Sequence, residues 1–261
     1  HQEGAYEKML SPKTRVVALG AASNILGTVT DLPAMISAAR ALGAMTVVDA
    51  VHFAPHALVD AHALDADFVL CSAYKFYGPH IGVCYGKRAT IEALDVPRLE
   101  PAPDYSPERL ETGTQNHEGI IGAAAAVSFM ESLAPEAIGS RRDRLAATFH
   151  AFHERGEALL SEMWTGLSRI SEVSIKGPRP GTPRTPTVSF HVRGFTSQQV
   201  AEFLAPRGVY VSNGDFYAST VAKRLGFEEE GLVRAGCACY TTSDEVERLV
   251  DSVQALVSRK S

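Results

Sequence analysis

The sequence has few cysteines, no long apolar run and no excess of positive charge, and each shortage excludes a class of protein. Four cysteines among 261 residues are too few for a disulfide framework, so we expect reduced thiols in a cytoplasmic protein. No apolar run approaches the roughly 20 residues that span a bilayer, and the first ten residues do not resemble a signal peptide. With 25 Lys and Arg against 30 Asp and Glu, the net charge of −5 predicts no nucleic-acid partner, and the lack of a spanning apolar run predicts no membrane partner.

The first half of the chain alternates short apolar runs with a helical pattern, which is typical of an α/β fold with a mainly parallel sheet. We predict a helix over 32–42, ended by Gly43. The first three predicted strands are continuous apolar runs, so we expect them to be buried on both faces. The predicted strands are 16–19, 46–48, 68–70 and 82–85.

The second half predicts a smaller α+β domain. Helices are predicted over 120–133 and 141–167, and a segment rich in Pro and Gly follows at 176–187. The boundary is expected near residue 136, which gives domains 1–136 and 137–261 with the long helix as connector. The elements predicted after the break are strand 188–192, helix 197–205, strand 209–212, strand 232–236 and helix 243–257.

Polar side chains follow the first three predicted strands, where an open parallel sheet binds its ligands. Taken singly, each is as well explained by a turn, a helix cap or a surface amine. Taken together, they offer groups that one cofactor could use. They are Asn24 after the first strand, Asp49 and His52 after the second, and Ser72, Tyr74 and Lys75 after the third.

This combination suits pyridoxal 5'-phosphate. A lysine amine forms a Schiff base with the cofactor aldehyde, and a carboxylate against the pyridine nitrogen keeps that nitrogen protonated. The phosphate requires hydroxyls and backbone N–H groups near the start of a helix. Asp49 and His52 are three residues apart, a spacing that lets the histidine reach the ring hydroxyl.

The motifs SNILGT, VVDAVHFAPH, SAYKFYGPHIGVCYG and ETGTQNHEGIIG occur in this order from residue 23 to residue 122. Together they closely resemble the class V aminotransferases, and among these the cysteine desulfurase-like proteins. The resemblance covers nearly the whole chain from about residue 15. It implies the fold type I architecture of PLP-dependent transferases, in which a large domain with a mainly parallel sheet is followed by a smaller α+β domain.

The resemblance also implies roles for particular residues. Lys75 is expected to be the Schiff-base lysine and general acid/base, with Asp49 and His52 as the other catalytic groups. Thr114 would reach the phosphate of a neighbouring subunit, which implies a homodimer with shared active sites. The other implied contacts are Asp49 to the pyridinium, Asn24 and His52 to the ring hydroxyl, Ser72 and Tyr74 to the phosphate, and Arg234, with Asn24, to the substrate and its α-carboxylate.

Desulfurases transfer sulfur to a cysteine on a mobile loop, and this sequence departs from that pattern. The matching loop is 212–217, and Tyr217 stands about where that cysteine would be. We expect Cys71 and Cys84 to be structural thiols of the sheet, and Cys237 and Cys239 to be core residues. The expected reaction is therefore C–S cleavage or another β-elimination on an amino acid, without a loop persulfide.

Several alternatives stay open at this stage. His52 and Tyr74 stand where desulfurases have Gln and His, and in this they resemble the epimerase and kynureninase branches of the family. A PLP-dependent aminotransferase or epimerase of class V is therefore an alternative. The chain begins at His1 and lacks the family's N-terminal segment, so a non-catalytic scaffold, a fragment or a chain with a separate N-terminal companion segment are also possible readings. A zinc site at His52 and His56 is disfavoured because Pro55 interrupts a helix there, so we expect no metal.

Overall fold

The computed structural model describes residues 4–259, which form two compact units. The first unit comprises residues 4–21 and 30–148, and the second comprises 22–29 and 149–259. The division falls inside the long helix rather than near residue 136, and the assignment of domains to 1–136 and 137–261 stays a prediction. His1 lies outside the described residues.

The first unit is built on a four-stranded sheet in the order β1-β2-β3-β4. The first three strands are parallel, and β4 pairs antiparallel to β3. This confirms the predicted α/β fold with a mainly parallel sheet. The strands are β1 (Val16–Gly20), β2 (Met45–Asp49), β3 (Phe68–Ser72) and β4 (Gly82–Gly86).

Local sequence signals explain where the main helix of this unit begins and ends. The Asp31 side chain accepts a hydrogen bond from the N–H of Ala34 at 3.4 Å, and Pro33 lies in the first turn. Gly43 then adopts a left-handed φ of 69°, which ends the helix as predicted. The helices of the unit are α1 (Ala5–Met9), α2 (Leu32–Ala41), α3 (Ala61–Leu64), α4 (Arg88–Ala93) and α5 (His117–Ser132), and α6 (Arg141–Ser168) runs from this unit into the second.

The two faces of the first strand differ in burial among the described residues. Val17 and Val48 are buried against α2, whereas Val16 on the opposite face is 55% exposed. The expectation that these strands are buried on both faces is therefore wrong for this chain. An apolar strand is buried on both faces only where other elements cover both, and the described residues cover one face of β1.

The second unit contains an antiparallel sheet in the order β5-β6-β8-β7. Residues 209–211 form no ladder among the described residues, so the strand predicted at 209–212 is displaced towards the C-terminus. The helix predicted at 120–133 begins three residues earlier, at His117, and the other predicted elements of this half are confirmed to within one or two residues. The unit comprises β5 (Val173–Lys176), β6 (Thr187–Val192), α7 (Ser197–Leu204), β7 (Ser212–Gly214), α8 (Ser219–Arg224), β8 (Leu232–Gly236) and α9 (Ser243–Ser258).

The segment 22–29 belongs to the second unit although it lies early in the chain. Ile25 is fully buried, and its carbonyl accepts a hydrogen bond from the Ser189 hydroxyl. Gly27 has a φ of 75°, and a Cβ there would lie 3.0 Å from the carbonyl oxygens of Thr185 and Thr187. This close approach requires glycine, and it fixes the segment in the unit.

Within residues 4–259, no helix is both long and apolar enough to cross a membrane.

Candidate active site

The carboxyl ends of β2 and β3 bring three of the predicted site residues to one edge of the first sheet. Asp49 is the last residue of β2, and Ser72 is the last residue of β3. Lys75 follows in a short 3-10 helix, Ala73–Phe76. Because β2 and β3 are parallel neighbours, their carboxyl ends share an edge.

Backbone hydrogen bonds fix the turn that carries Lys75. The N–H of Ala73 donates to the carbonyl of Ile81 at 2.9 Å, and the N–H of Gly78 donates to the carbonyl of Ala73 at 2.8 Å. The Phe76 side chain is buried and anchors the turn. The Lys75 ammonium lies over the Tyr74 ring, 5.5 Å from its centroid, so the amine is half-buried against an aromatic face.

Asp49 is exposed, and one of its carboxylate oxygens is already oriented. Its Oδ1 accepts the N–H of Val51 at 2.9 Å, which closes a turn after the strand. Because the carboxylate is exposed, it can also accept a hydrogen bond from a cationic or N–H group of a ligand.

His52 and His56 pack together just after β2. Their rings meet edge to face with centroids 5.4 Å apart, and both side chains are half-buried. Burial and the positive charge of Lys75 lower the pKa of His56 from its ordinary 6.5 to about 4. His56 is therefore neutral at pH 7, because both burial and a nearby positive charge disfavour the protonated imidazole.

Sequence reasoning considered His56 only as a metal ligand. The only feature of the sequence that marks His56 is its four-residue spacing from His52. In the structure, the turn that carries both histidines places His56 near Lys75. Residues 51–57 form turns rather than a regular helix, in agreement with the effect expected of Pro55. Within the described part of the chain, no group of three or more His, Cys, Asp or Glu side chains could hold a metal.

Tyr74 and Thr114 are both exposed in the first unit. The Tyr74 ring packs edge to face against His80 with centroids 4.9 Å apart. Thr114 lies in the loop before α5, next to Gly113 with a φ of 69°. The side chain of Asn116 caps α5 by accepting the N–H of Gly119 at 2.9 Å, so the loop has a defined end.

Asn24 and Arg234 form a separate group in the second unit. Arg234 Nη1 donates to the carbonyl of Asn24 at 3.0 Å, and its guanidinium lies 4.4 Å from the centroid of the Phe216 ring. The Asn24 side-chain amide donates to the Phe216 carbonyl at 2.8 Å. Burial lowers the pKa of Arg234, although an arginine keeps its charge at neutral pH. Sequence reasoning missed Phe216.

The cysteines differ in exposure. Cys237 is buried, and burial raises its pKa to about 11, which agrees with the expected core position. Cys239 is half-buried. Cys84 is exposed, so the expectation of a buried thiol is wrong there, because its strand lies at the edge of the sheet. Partial desolvation by neighbouring atoms nevertheless raises the pKa of both Cys71 and Cys84, so neither is activated as a thiolate.

Residues 212–214 of the predicted loop form the strand β7, and Tyr217, in the turn that follows, is fully exposed.

Comparison with known proteins places the chain in a family. Residues 2–249 match the family described as aminotransferase class-V. A cysteine desulfurase of Synechococcus elongatus is 31% identical over 96% of this chain and 39% of its own length. The probable cysteine desulfurase 2 of Mycobacterium leprae is 33% identical over 94% of this chain and 57% of its own length.

Solved structures agree. The cysteine desulfurase CsdA of Escherichia coli, in its S-sulfonic acid form, superimposes with a TM-score of 0.82 at 27% identity, covering 97% of this chain and 61% of that one. The cysteine desulfurase of Thermococcus onnurineus gives 0.82 at 29% identity, covering 94% and 60%. The chain thus spans about 40–60% of the length of the relatives it matches. It belongs to the class V aminotransferase family, whose members are pyridoxal phosphate enzymes of fold type I.

Proposed function

We propose that this protein is a PLP-dependent enzyme that acts on an amino acid, with a reaction of the cysteine desulfurase type. The observation that carries the proposal is the placement of Lys75 and Asp49 at one edge of the sheet: Asp49 ends β2, and Lys75 follows the neighbouring parallel strand β3. An amine and a carboxylate in this arrangement are the two groups that the cofactor requires from the protein. The donor set fits pyridoxal phosphate.

Lys75 would hold the cofactor and then move the substrate's Cα proton. Its amine is half-buried, and the nearby His56 adds no positive charge at pH 7 because the pKa of His56 is about 4. Asp49, whose carboxylate is exposed and oriented by the Val51 N–H, would accept a hydrogen bond from the pyridine N–H. When bound, pyridoxal phosphate supplies the electron sink for the carbanion at Cα.

The remaining groups would orient the cofactor. Ser72 and Tyr74 present hydroxyls for the phosphate, and His52 with Asn24 would contact the ring-hydroxyl side. Thr114 would serve the phosphate of a neighbouring subunit in a homodimer, a role that its exposed position supports. A hydroxyl that is exposed in one subunit can complete a site in another.

Arg234 would bind the substrate α-carboxylate, since a guanidinium suits a carboxylate in a bidentate arrangement. Tyr217 occupies the loop where a sulfur-accepting cysteine is expected, so the proposal is C–S cleavage or another β-elimination without a loop persulfide. Transamination and epimerisation use the same residues and are the alternative reactions within the family.

Titration of this chain with pyridoxal phosphate tests the proposal. The wild type should bind saturably and develop a visible absorption band, and Lys75→Ala should abolish that band. Lys13→Ala, which removes an exposed amine remote in sequence, is the matched control and should keep it. A band retained in Lys75→Ala contradicts the assignment, and no saturable binding by the wild type favours the non-catalytic scaffold.

Mixing variants tests the shared site. If Thr114 completes the neighbour's site, Thr114→Ala and Lys75→Ala subunits should each bind cofactor poorly. A mixed dimer then contains one site with both residues intact, so cofactor binding should partly return. Absence of recovery, together with a monomeric mass in sedimentation, would contradict the shared-site dimer.

A further inference from the structure

The loop after β7 holds two side chains in an uncommon backbone conformation. Phe216 and Tyr217 have φ values of 58° and 59°, in the left-handed region that residues with a Cβ seldom adopt. Two such residues in succession persist only where contacts with the surrounding structure hold the backbone in this conformation. Strained backbone of this kind is concentrated at ligand-binding positions. The contacts of the loop identify what holds it.

Hydrogen bonds fix the loop from both sides. Asn24 donates its side-chain amide to the Phe216 carbonyl at 2.8 Å. The Asp215 carboxylate accepts the N–H of Tyr217 at 3.1 Å, and the Asp215 carbonyl accepts the N–H of Ala218 at 2.8 Å. Asn24 lies in the segment that Ile25 anchors in the core of the same unit, so the support of Phe216 is rigid.

The Phe216 ring supports the guanidinium of Arg234. The guanidinium carbon lies 4.4 Å from the ring centroid, within the range of a cation–π contact. Arg234 Nη1 donates to the Asn24 carbonyl, which closes a cycle of three contacts among Asn24, Phe216 and Arg234. No second hydrogen bond of the Arg234 guanidinium occurs within residues 4–259, so its other N–H donors are available in the plane of the group.

We propose that Phe216 is a positioning residue for Arg234. The ring restrains the Arg234 side chain to few rotamers, so that the in-plane N–H donors of the guanidinium point to a carboxylate. The inference rests on the proposed function in one respect, namely that the carboxylate is that of an amino-acid substrate. In this proposal the strained loop has a function: it supplies an aromatic ring that supports the carboxylate site, where desulfurases carry a sulfur acceptor.

Chemical modification tests the positioning without any cofactor. Phenylglyoxal attacks free guanidinium groups, and peptide mass spectrometry measures the rate at Arg234. Phe216→Leu, which removes the aromatic face, should raise that rate about fivefold. Phe216→Tyr keeps the ring and should restore the wild-type rate, and Tyr217→Leu is the matched control because no contact of that ring with Arg234 occurs among the described residues.

Ligand binding tests the consequence. In cofactor-loaded protein, Phe216→Leu should raise the Kd and KM for L-cysteine about five- to tenfold, with a smaller change in kcat. The Kd for L-cysteinamide, which lacks the carboxylate, should stay within twofold. Equal losses for both ligands would overturn the positioning role.

The two proposals fail in different ways. An unchanged modification rate in Phe216→Leu overturns the role of Phe216 even if the cofactor binds normally. A raised rate in protein that binds no cofactor supports the positioning and contradicts the proposed function. Trp164 fluorescence confirms folding, and Phe216→Met replaces Phe216→Leu if the latter loses the native signal.

Discussion

Among single residues, His56 couples the fold to pH. Its folded pKa of about 4 lies below the ordinary 6.5, so the unfolded chain binds the proton more tightly. Its contribution to stability is complete above pH 6.5 and is lost as the pH falls towards 4. We expect the wild type to lose about 2 kcal/mol of unfolding free energy between pH 7 and pH 5 through this residue. Urea denaturation at both pH values measures the loss.

His56→Gln should remove that part of the pH dependence, because glutamine does not titrate. His153→Gln, a change at an exposed histidine of α6, is the matched control and should retain the wild-type difference between pH 7 and pH 5. The pKa assigned to His56 is wrong if His56→Gln and wild type lose equal stability over this interval.

Among elements, the last helix depends on its first turn. Thr242 Oγ1 accepts the N–H of Glu245 at 3.3 Å, and the Glu245 carboxylate accepts the N–H of Thr242 at 2.9 Å. This capping box satisfies two backbone donors that the helix leaves unpaired. Thr242→Ala should therefore lower the unfolding free energy by about 1 kcal/mol, measured by urea denaturation.

A threonine in a helix interior gives the contrast. Thr165 is exposed within α6, where alanine has the higher helix propensity. Thr165→Ala should leave stability unchanged or slightly raised. A similar loss in both variants would mean that the Thr242 hydrogen bonds contribute nothing specific to α9.

Among the helices and strands, some could be predicted from the sequence and others could not. The apolar runs around Val17 and Val48 and the signals at Asp31 and Gly43 are local, so the strands and α2 could be located from them. The strand β5 consists of only four residues and pairs with β6 on the other side of the segment rich in Pro and Gly, so no local pattern marks it. The left-handed Phe216 carries no sequence signal, because its neighbours rather than its type impose the conformation.

The site shows the same division. Lys75 and Asp49 could be predicted because the carboxyl ends of parallel strands meet at an edge of the sheet. Exposure could not be predicted for Val16, since burial of a strand face depends on elements distant in the chain. The pairing of Phe216 with Arg234 was missed for the same reason: it needs the packing of a whole unit.

At the scale of the whole molecule, the cores of the two units differ in the size of their buried side chains. The second core contains large, fully buried side chains such as Phe190, Leu160 and Met163. The first includes many alanines, and one face of its β1 strand is uncovered; these alanines are Ala21, Ala39, Ala44, Ala50 and Ala66. Since stability follows buried apolar area, we expect the first unit to unfold at lower urea concentration.

The single tryptophan distinguishes the units. Trp164 lies in the second unit, with the Arg184 guanidinium 5.3 Å from its ring centroid, so its fluorescence reports that unit, whereas far-UV circular dichroism reports both. The circular dichroism change should begin before the fluorescence change. Ile36→Ala, which truncates the first core, should shift only the early phase by about 2–5 kcal/mol, and Leu160→Ala should shift the fluorescence transition.

Coincident transitions in the wild type, moved together by either truncation, would contradict independent stability. The helix α6 belongs to both units, and it is the element through which such coupling would pass. Separate transitions would instead mean that α6 frays at its first turns while its second half stays packed. Hydrogen exchange at Leu145 and Leu160, which lie on either side of the division, would then give faster exchange at Leu145.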